Sequence, residues 1–116
     1  MTDTTWDTIF VDGSPRIALD VMGEGPLVVF LHGIGGNKLN WHQQLPAFAG
    51  EFTAAAWDAR GYGQSEDYDG DLDFSDFSHD LARVLDHFGA AKAHLCGLSM
   101  GGRVAQDFYA LYPERV

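Results

Sequence analysis

Ser99 stands between glycines in the stretch GLSMG, residues 97–101. The stretch lies between a short apolar segment and an amphipathic one, which predicts a tight turn between a strand and a helix. Such a turn exposes the serine hydroxyl above the sheet, and its glycines avoid collisions with neighbouring backbone. The pattern predicts a catalytic nucleophile at Ser99, against the alternative of a glycine-rich turn with a solvated serine.

A serine that attacks a carbonyl needs backbone donors for the oxyanion that forms. The helix after the turn directs its first N–H groups to the same place, so we assign one donor to Met100. A glycine-rich loop, HGIGGN, follows the apolar run 27–31, and we assign the second donor to Ile34. The residues predicted to shape this site are His32, Gly33, Gly97, Leu98, Gly101 and Gly102.

A third motif, DARGYGQS, occupies residues 58–65 after another apolar segment. Its charged pair and spaced glycines exceed what a plain turn requires. We predict a structural loop held by Asp58, Arg60, Gly61, Gly63 and Ser65.

The elements that must position these motifs alternate along the chain. Two alternating segments on either side of the turn 12–15 predict an N-terminal hairpin, and three apolar runs predict buried strands at 27–31, 52–57 and 92–96. Helical spacing predicts a short helix over 40–48 with Asn40 as its N-cap, a helix from Phe77 to Phe88 closed by Gly89, and a helix over 103–112 ended by Pro113. This order predicts a three-layer α/β sheet with right-handed crossovers.

Composition excludes several classes of partner. The 116 residues suit one domain, and 17 acidic against 7 basic residues give a net charge of −10, which argues against nucleic acid. The apolar runs fall far short of the roughly 20 residues that span a bilayer, so we expect no membrane partner. A single cysteine, Cys96, predicts a reducing, cytoplasmic location and a small apolar side chain packed in the core.

The three motifs in this order, followed by YPERV at 112–116, resemble the α/β-hydrolase family. The resemblance covers the chain from Arg16 onward. It implies an α/β-hydrolase fold of which residues 1–116 form a partial domain, the N-terminal half. That half would have about five strands, mostly parallel after an N-terminal hairpin, with flanking helices, and would be truncated before the cap and the C-terminal strands.

Within the family, AHLCGLSMGG, NWHQQLPAF and DARGYGQS look most like the 3-oxoadipate enol-lactonases and the related cofactor-free haloperoxidase and esterase branch. This implies hydrolysis of a small-molecule carboxylic ester or lactone, favouring a substrate like 3-oxoadipate enol-lactone, with no cofactor and no metal. Serine instead of aspartate at position 99 speaks against the haloalkane dehalogenase and epoxide hydrolase branches.

The base that Ser99 needs is missing from the expected place. The family order is nucleophile, acid, histidine, yet the residues after Ser99 include no histidine. Of the upstream histidines, only His32 is expected near the site, where the resemblance gives it a loop-shaping role; His42, His79 and His87 are expected at the surface. We therefore expect a fragment whose acid and histidine lie outside the chain, and whose 92–96 strand has an unpaired edge open to self-association.

Two other classes of function stay open. A non-catalytic α/β scaffold or partner-binding half-domain would keep Ser99 by descent only. A calcium-binding module would use Asp69, Asp71, Asp73 and Asp80, which fall at positions 1, 3, 5 and 12 of a calcium loop. Phe74 stands in the sixth place, where that loop needs glycine, so a solvated acidic loop is the preferred interpretation.

Overall fold

The computed structural model describes residues 5–116. Its strands are β1 (Asp7–Val11), β2 (Ile17–Met22), β3 (Leu27–Leu31), β4 (Thr53–Trp57) and β5 (His94–Gly97). Its helices are α1 (Gln44–Phe48), α2 (Ser75–His87) and α3 (Met100–Leu111), with short 3₁₀ helices at Lys38–Trp41 and Pro113–Arg115.

The strands form one sheet in the order β1-β2-β4-β3-β5. β1 and β2 make the predicted antiparallel hairpin, β2 pairs antiparallel with β4, and β3 runs parallel to both β4 and β5. Three parallel strands therefore end at one edge of the sheet, and the three predicted motifs follow those strand ends. This topology brings the motifs together.

Helices cover both faces of the sheet. Successive β3 residues point to opposite sides and so pack in two separate cores. Val29 and Leu31 pack in a core that includes α2 and α3 residues such as Leu81 and Phe108. Phe30 packs on the other face, in a second core that includes Leu45 of α1. The predicted three-layer α/β architecture is confirmed.

The helix α2 ends where Gly89 predicted its end. Gly89 has φ +65°, and its N–H donates to the carbonyl of Asp86 (3.0 Å) while the N–H of Ala90 donates to that of Leu85 (2.9 Å). This pair of bonds satisfies the last helical carbonyls with the glycine in the left-handed region. The helix begins at Ser75, two residues before the predicted start.

The prediction for residues 40–48 is wrong in its details. The cap is Asn37, whose side chain accepts from the N–H of Leu39, while the Asn40 side chain accepts from the N–H of Asn37 (2.9 Å). This reciprocal capping starts the 3₁₀ helix at Lys38, and α1 begins separately at Gln44. Pro46 falls in the first turn of α1, where a missing N–H costs no helical bond.

The prediction that Cys96 packs in the core is wrong, because its side chain is exposed. β5 is an edge strand of the described sheet and pairs there only with β3, so one side of the strand lacks a neighbour. The unpaired edge itself was expected. Among residues 5–116, no helix has the length and apolar character needed to cross a membrane.

Candidate active site

Ser99 lies on a strained turn between β5 and α3. Its φ is +55° and its ψ −113°, and it is the one non-glycine residue in the described part of the chain with a positive φ. The N–H of Gly101 donates to the carbonyl of Leu98 across the turn (2.9 Å), and α3 begins at Met100, three residues before the predicted start. A non-glycine residue whose backbone is held in this region stores strain of about 1–3 kcal/mol, and such residues are concentrated at functional sites.

Two glycines let the backbone segments around Ser99 touch directly. A Cβ built on Gly97 would overlap the carbonyl of Gly101, and one built on Gly101 would overlap the carbonyl of Leu31. Gly102 differs, because the nearest atom to its Cβ would be the Gly97 carbonyl oxygen at 3.6 Å. Close packing therefore requires glycine at 97 and 101, and not at 102.

The loop after β3 lies alongside the serine turn. A Cβ on Gly33 would come within 3.2 Å of the Ser99 Cβ and 3.8 Å of its Oγ. The N–H of Gly36 donates to the carbonyl of Gly33 (3.0 Å), and Gly35 has φ +78°, as the third residue of a type II turn requires. Ile34 is the second residue of this turn.

Two backbone N–H groups near Ser99, at the ends of the parallel strands, have no hydrogen-bond acceptor within the protein residues described. Within residues 5–116, neither the N–H of Ile34 nor that of Met100 donates to a protein acceptor. One follows Gly33, which contacts Ser99, and the other follows Ser99 directly. The side chains of Ile34 and Leu98 are 79% and 58% exposed. The arrangement offers amide donors to an oxyanion beside a hydroxyl, with apolar side chains around them.

His32 lies at this edge with both ring nitrogens engaged. Nδ1 lies 2.8 Å from the carbonyl of Gly33, and Nε2 accepts from the N–H of Ala59 (3.0 Å). The ring is fully buried and packs on Tyr62, with centroids 4.8 Å apart. A base must reach the hydroxyl that it deprotonates with a free nitrogen. In this geometry His32 holds the backbone and has no nitrogen free for Ser99.

The loop 58–65 is fastened around a buried carboxylate. Asp58 accepts from the N–H of Lys38 (2.8 Å) and from that of Gln64 (2.9 Å). Gly63 has φ +51° and lies directly against this carboxylate. Ser65 Oγ donates to the Asp58 carbonyl (2.5 Å). Gly61, with φ +80°, sits beside Tyr68 in the same loop.

Arg60 anchors the same loop to α2. Its Nε and Nη2 donate to the two carboxylate oxygens of Asp80 at 2.7 and 2.8 Å. The hydrogen bonds that it donates to the Asp80 carboxylate raise the pKa of the Arg60 guanidinium above its usual range. Arg83 also binds the Asp80 carboxylate (2.9 Å). An aspartate neutralised in this way is not available to a cation.

The calcium interpretation finds no support. Asp80 is buried in the ion pairs just described, and Asp73 accepts from both the Oγ and the N–H of Ser75. These bonds lower the pKa of the Asp73 carboxyl from its usual 3.8. Within the described residues, no group of three or more His, Cys, Asp or Glu side chains could hold a metal ion.

A buried charge cluster beneath the loop was not predicted from the sequence. Lys38 is buried, and its Nζ binds Gln64 Oε1 (2.6 Å) and lies 3.7 and 3.5 Å from Asp20 and Asp58. His42 is partly exposed, as expected, but it also binds Asp20 through Nε2 (2.7 Å), which was not predicted. A lysine among glycines and asparagines was the only signal, and it does not indicate burial. His79 and His87 are exposed, as expected.

Comparison with protein families matches residues 26–116 to the alpha/beta hydrolase fold. Three curated relatives illustrate the similarity. The chain is 45% identical to the dihydrolipoyllysine-residue acetyltransferase component of the acetoin cleaving system from Pseudomonas putida, covering 81% of this chain and 26% of that protein. It is 39% identical to epoxide hydrolase B from Mycobacterium tuberculosis (79% and 27%) and 32% identical to 3-oxoadipate enol-lactonase 2 from Acinetobacter baylyi (78% and 34%).

A solved structure agrees with the fold. A putative epoxide hydrolase from Pseudomonas aeruginosa superposes with a TM-score of 0.89 at 27% identity, over 96% of this chain and 39% of that one. The chain thus spans about a quarter to a third of the curated relatives that it matches, and under half of that structure.

Proposed function

The chain belongs to the alpha/beta hydrolase fold family, and on that premise we propose that it carries the nucleophile and the oxyanion donors of a serine hydrolase acting on carboxylic esters or lactones. The observation that carries this proposal is the backbone of Ser99. A φ of +55° at a non-glycine residue needs a surrounding structure that enforces it, and here the glycine contacts of β3 and α3 do so.

In the proposed reaction, Ser99 Oγ attacks the carbonyl carbon of the substrate. The N–H groups of Met100 and Ile34 stabilise the negative charge that forms on the carbonyl oxygen. The carbon–oxygen bond to the leaving group then breaks, the leaving oxygen takes the proton that the base received from Ser99, and an acyl-serine remains. Water attacks this ester, which releases the acid and restores the hydroxyl.

The base and its acid partner would lie in a region of the natural polypeptide that corresponds to the part of the longer relatives that this chain does not span. Inside the described residues, His32, His42 and His79 bind the Ala59 N–H, Asp20 and Tyr112 respectively. The rings of His87 and His94 pack on Phe88 and Phe52. A serine hydrolase without its histidine retains only about 10³ to 10⁴ of its rate enhancement over water.

The substrate class follows from the nucleophile and from the surface around it. Exposed apolar side chains at Ile34 and Leu98 suit an acyl group with an apolar part. The enol-lactonase relative supports a lactone, whereas the epoxide hydrolase relatives suggest an epoxide. Serine at position 99, where the resemblance gives epoxide hydrolases an aspartate, favours the ester or lactone.

A substrate panel on the natural polypeptide that carries this sequence tests the proposal. The panel holds a p-nitrophenyl ester, an aromatic lactone and styrene oxide, and the variants are Ser99→Ala and the control Ser75→Ala, whose hydroxyl binds Asp73 instead. We expect ester and lactone hydrolysis that Ser99→Ala abolishes and Ser75→Ala retains. Epoxide opening alone, or activity that survives Ser99→Ala, would overturn the proposal.

A second proposal concerns the unpaired edge of β5. His94, Cys96 and Gly97 are exposed there, and unpaired strand edges associate with other chains. We propose that the 116-residue chain self-associates through this edge, which would also suit a non-catalytic half-domain. Sedimentation velocity across a concentration series should show oligomers. A monomer at every concentration would contradict this proposal without affecting the first.

A further inference from the structure

The loop that carries Ile34 is held at both ends by two consecutive residues. At its start, His32 Nε2 accepts the N–H of Ala59 (3.0 Å); at its end, the N–H of Lys38 donates to Asp58 Oδ1 (2.8 Å). Asp58 and Ala59 directly follow β4. The position of the loop relative to the sheet is therefore set by the end of a strand that does not carry the nucleophile.

The Asp58 carboxylate is built for this contact. It is fully buried and accepts backbone N–H groups on both oxygens, from Lys38 on one and Gln64 on the other. The Lys38 ammonium lies 3.5 Å from Oδ2 and compensates the charge. An asparagine would keep one acceptor, turn a donor toward the other N–H and leave the ammonium with less compensation.

We propose that Asp58 is a positioning residue for the oxyanion donor at Ile34; the inference rests on the proposed function. Asp58 touches neither Ser99 nor the expected substrate position, so it acts through the loop. The turn formed by Gly33 and Gly36 and the capping of the 3₁₀ helix by Asn37 transmit the position of Lys38 to Ile34. Because the oxyanion forms in the transition state, a displaced Ile34 N–H lowers kcat more than it raises KM.

Asp20 offers a matched control in the same cluster. It is 1% exposed, lies 3.7 Å from the same ammonium and binds His42 and the hydroxyl of Thr8. Its carboxylate accepts no backbone N–H from the loop. Asp20→Asn therefore removes an equal charge at equal burial without loosening the end of the loop.

The test compares kcat and KM of the natural polypeptide with those of Asp58→Asn and Asp20→Asn, using the best ester or lactone of the panel. We expect Asp58→Asn to lower kcat by about 10- to 100-fold with KM nearly unchanged, since small misplacements of a catalytic group have effects of this size. Asp20→Asn should keep kcat near the parent value. Equal losses of kcat in both variants would overturn the inference.

A second variant serves if Asp58→Asn does not fold. Gly63→Ala keeps the Asp58 charge but places a methyl group against the carboxylate, so it should also lower kcat. Parent kcat in a folded Gly63→Ala variant would contradict the inference.

Amide chemical shifts of the natural polypeptide provide a readout without activity. Asp58→Asn should shift the amides of residues 33–38, and Asp20→Asn should leave those of Ile34 and Gly35 in place. If the natural polypeptide hydrolyses no ester or lactone, the proposed function fails, while these shifts still decide whether Asp58 positions the loop. Unmoved loop amides in Asp58→Asn would overturn the inference.

Discussion

The Cα of Gly101 lies against the backbone carbonyl of Leu31, so the first turn of α3 and the end of β3 touch with no side chain between them. A Cβ at position 101 would overlap that carbonyl, whereas a Cβ on the neighbouring Gly102 would meet nothing closer than 3.6 Å. Two adjacent helical glycines thus differ sharply in what the packing allows.

This difference predicts opposite effects of one substitution. Gly101→Ala should destabilise the fold by about 1–3 kcal/mol or more, because it overpacks a backbone contact. Gly102→Ala should be neutral or stabilising by up to about 1 kcal/mol, because alanine favours a helix interior over glycine. Urea unfolding of both variants measures the difference. Equal stabilities would show that α3 can move away from β3 at little cost.

The strained backbone at Ser99 predicts that a residue with a side chain at this position costs stability. Ser99→Gly and Ser99→Ala both remove the hydroxyl, but only glycine adopts a φ of +55° and a ψ of −113° without strain. We expect Ser99→Gly to be more stable than Ser99→Ala by about 1 kcal/mol or more in thermal unfolding. A less stable glycine variant would mean that the turn is not under strain.

The hydrogen bonds of His32 predict one tautomer. Nε2 accepts from the Ala59 N–H and so lacks a proton, which leaves the proton on Nδ1, beside the carbonyl of Gly33. ¹⁵N NMR of the ring at neutral pH should show an unprotonated Nε2 and a protonated Nδ1. The reverse pattern would break the bond that holds the start of the loop.

Asp73 predicts a pH dependence near the start of α2. Hydrogen bonds from Ser75 hold the pKa of this carboxyl below its usual 3.8 in the folded chain, so the charged form stabilises the fold. That contribution is complete above the usual pKa and is lost as the pH falls through the lowered one.

The stability advantage of the parent chain over Asp73→Asn should therefore shrink as the pH falls below about 4. Chemical unfolding at a series of pH values measures it, and Ser75→Ala should raise the Asp73 pKa toward its usual value in an NMR titration. An advantage that grows on acidification would contradict the assignment.

Sequence reasoning located the elements well because short-range signals decide them. The apolar run 27–31 predicted a strand that is buried throughout, and Gly89 predicted the end of α2 from the left-handed conformation that it adopts. The glycines around Ser99 predicted the tight turn in the same way.

The failures involve contacts between distant parts of the chain. Asn40 looked like a cap, but Asn37 occupies that position, because the choice between two nearby asparagines depends on where the loop leaves the sheet. Cys96 looked apolar enough to be buried, yet burial depends on a neighbour that β5 lacks among the described strands. The approach of Lys38 to Asp20 and Asp58 links three segments, and no local pattern encodes it.

The most direct test of the central claim is to trap the acyl intermediate. The natural polypeptide is mixed with a p-nitrophenyl ester whose acyl group is hydrolysed slowly from the enzyme. The mixture is then quenched in acid, digested and analysed by peptide mass spectrometry. We expect an acyl group on Ser99, a matching burst of p-nitrophenol, and the loss of both in Ser99→Ala. An acyl group on another residue, or turnover without any acyl-serine, would contradict the assignment of Ser99 as the nucleophile.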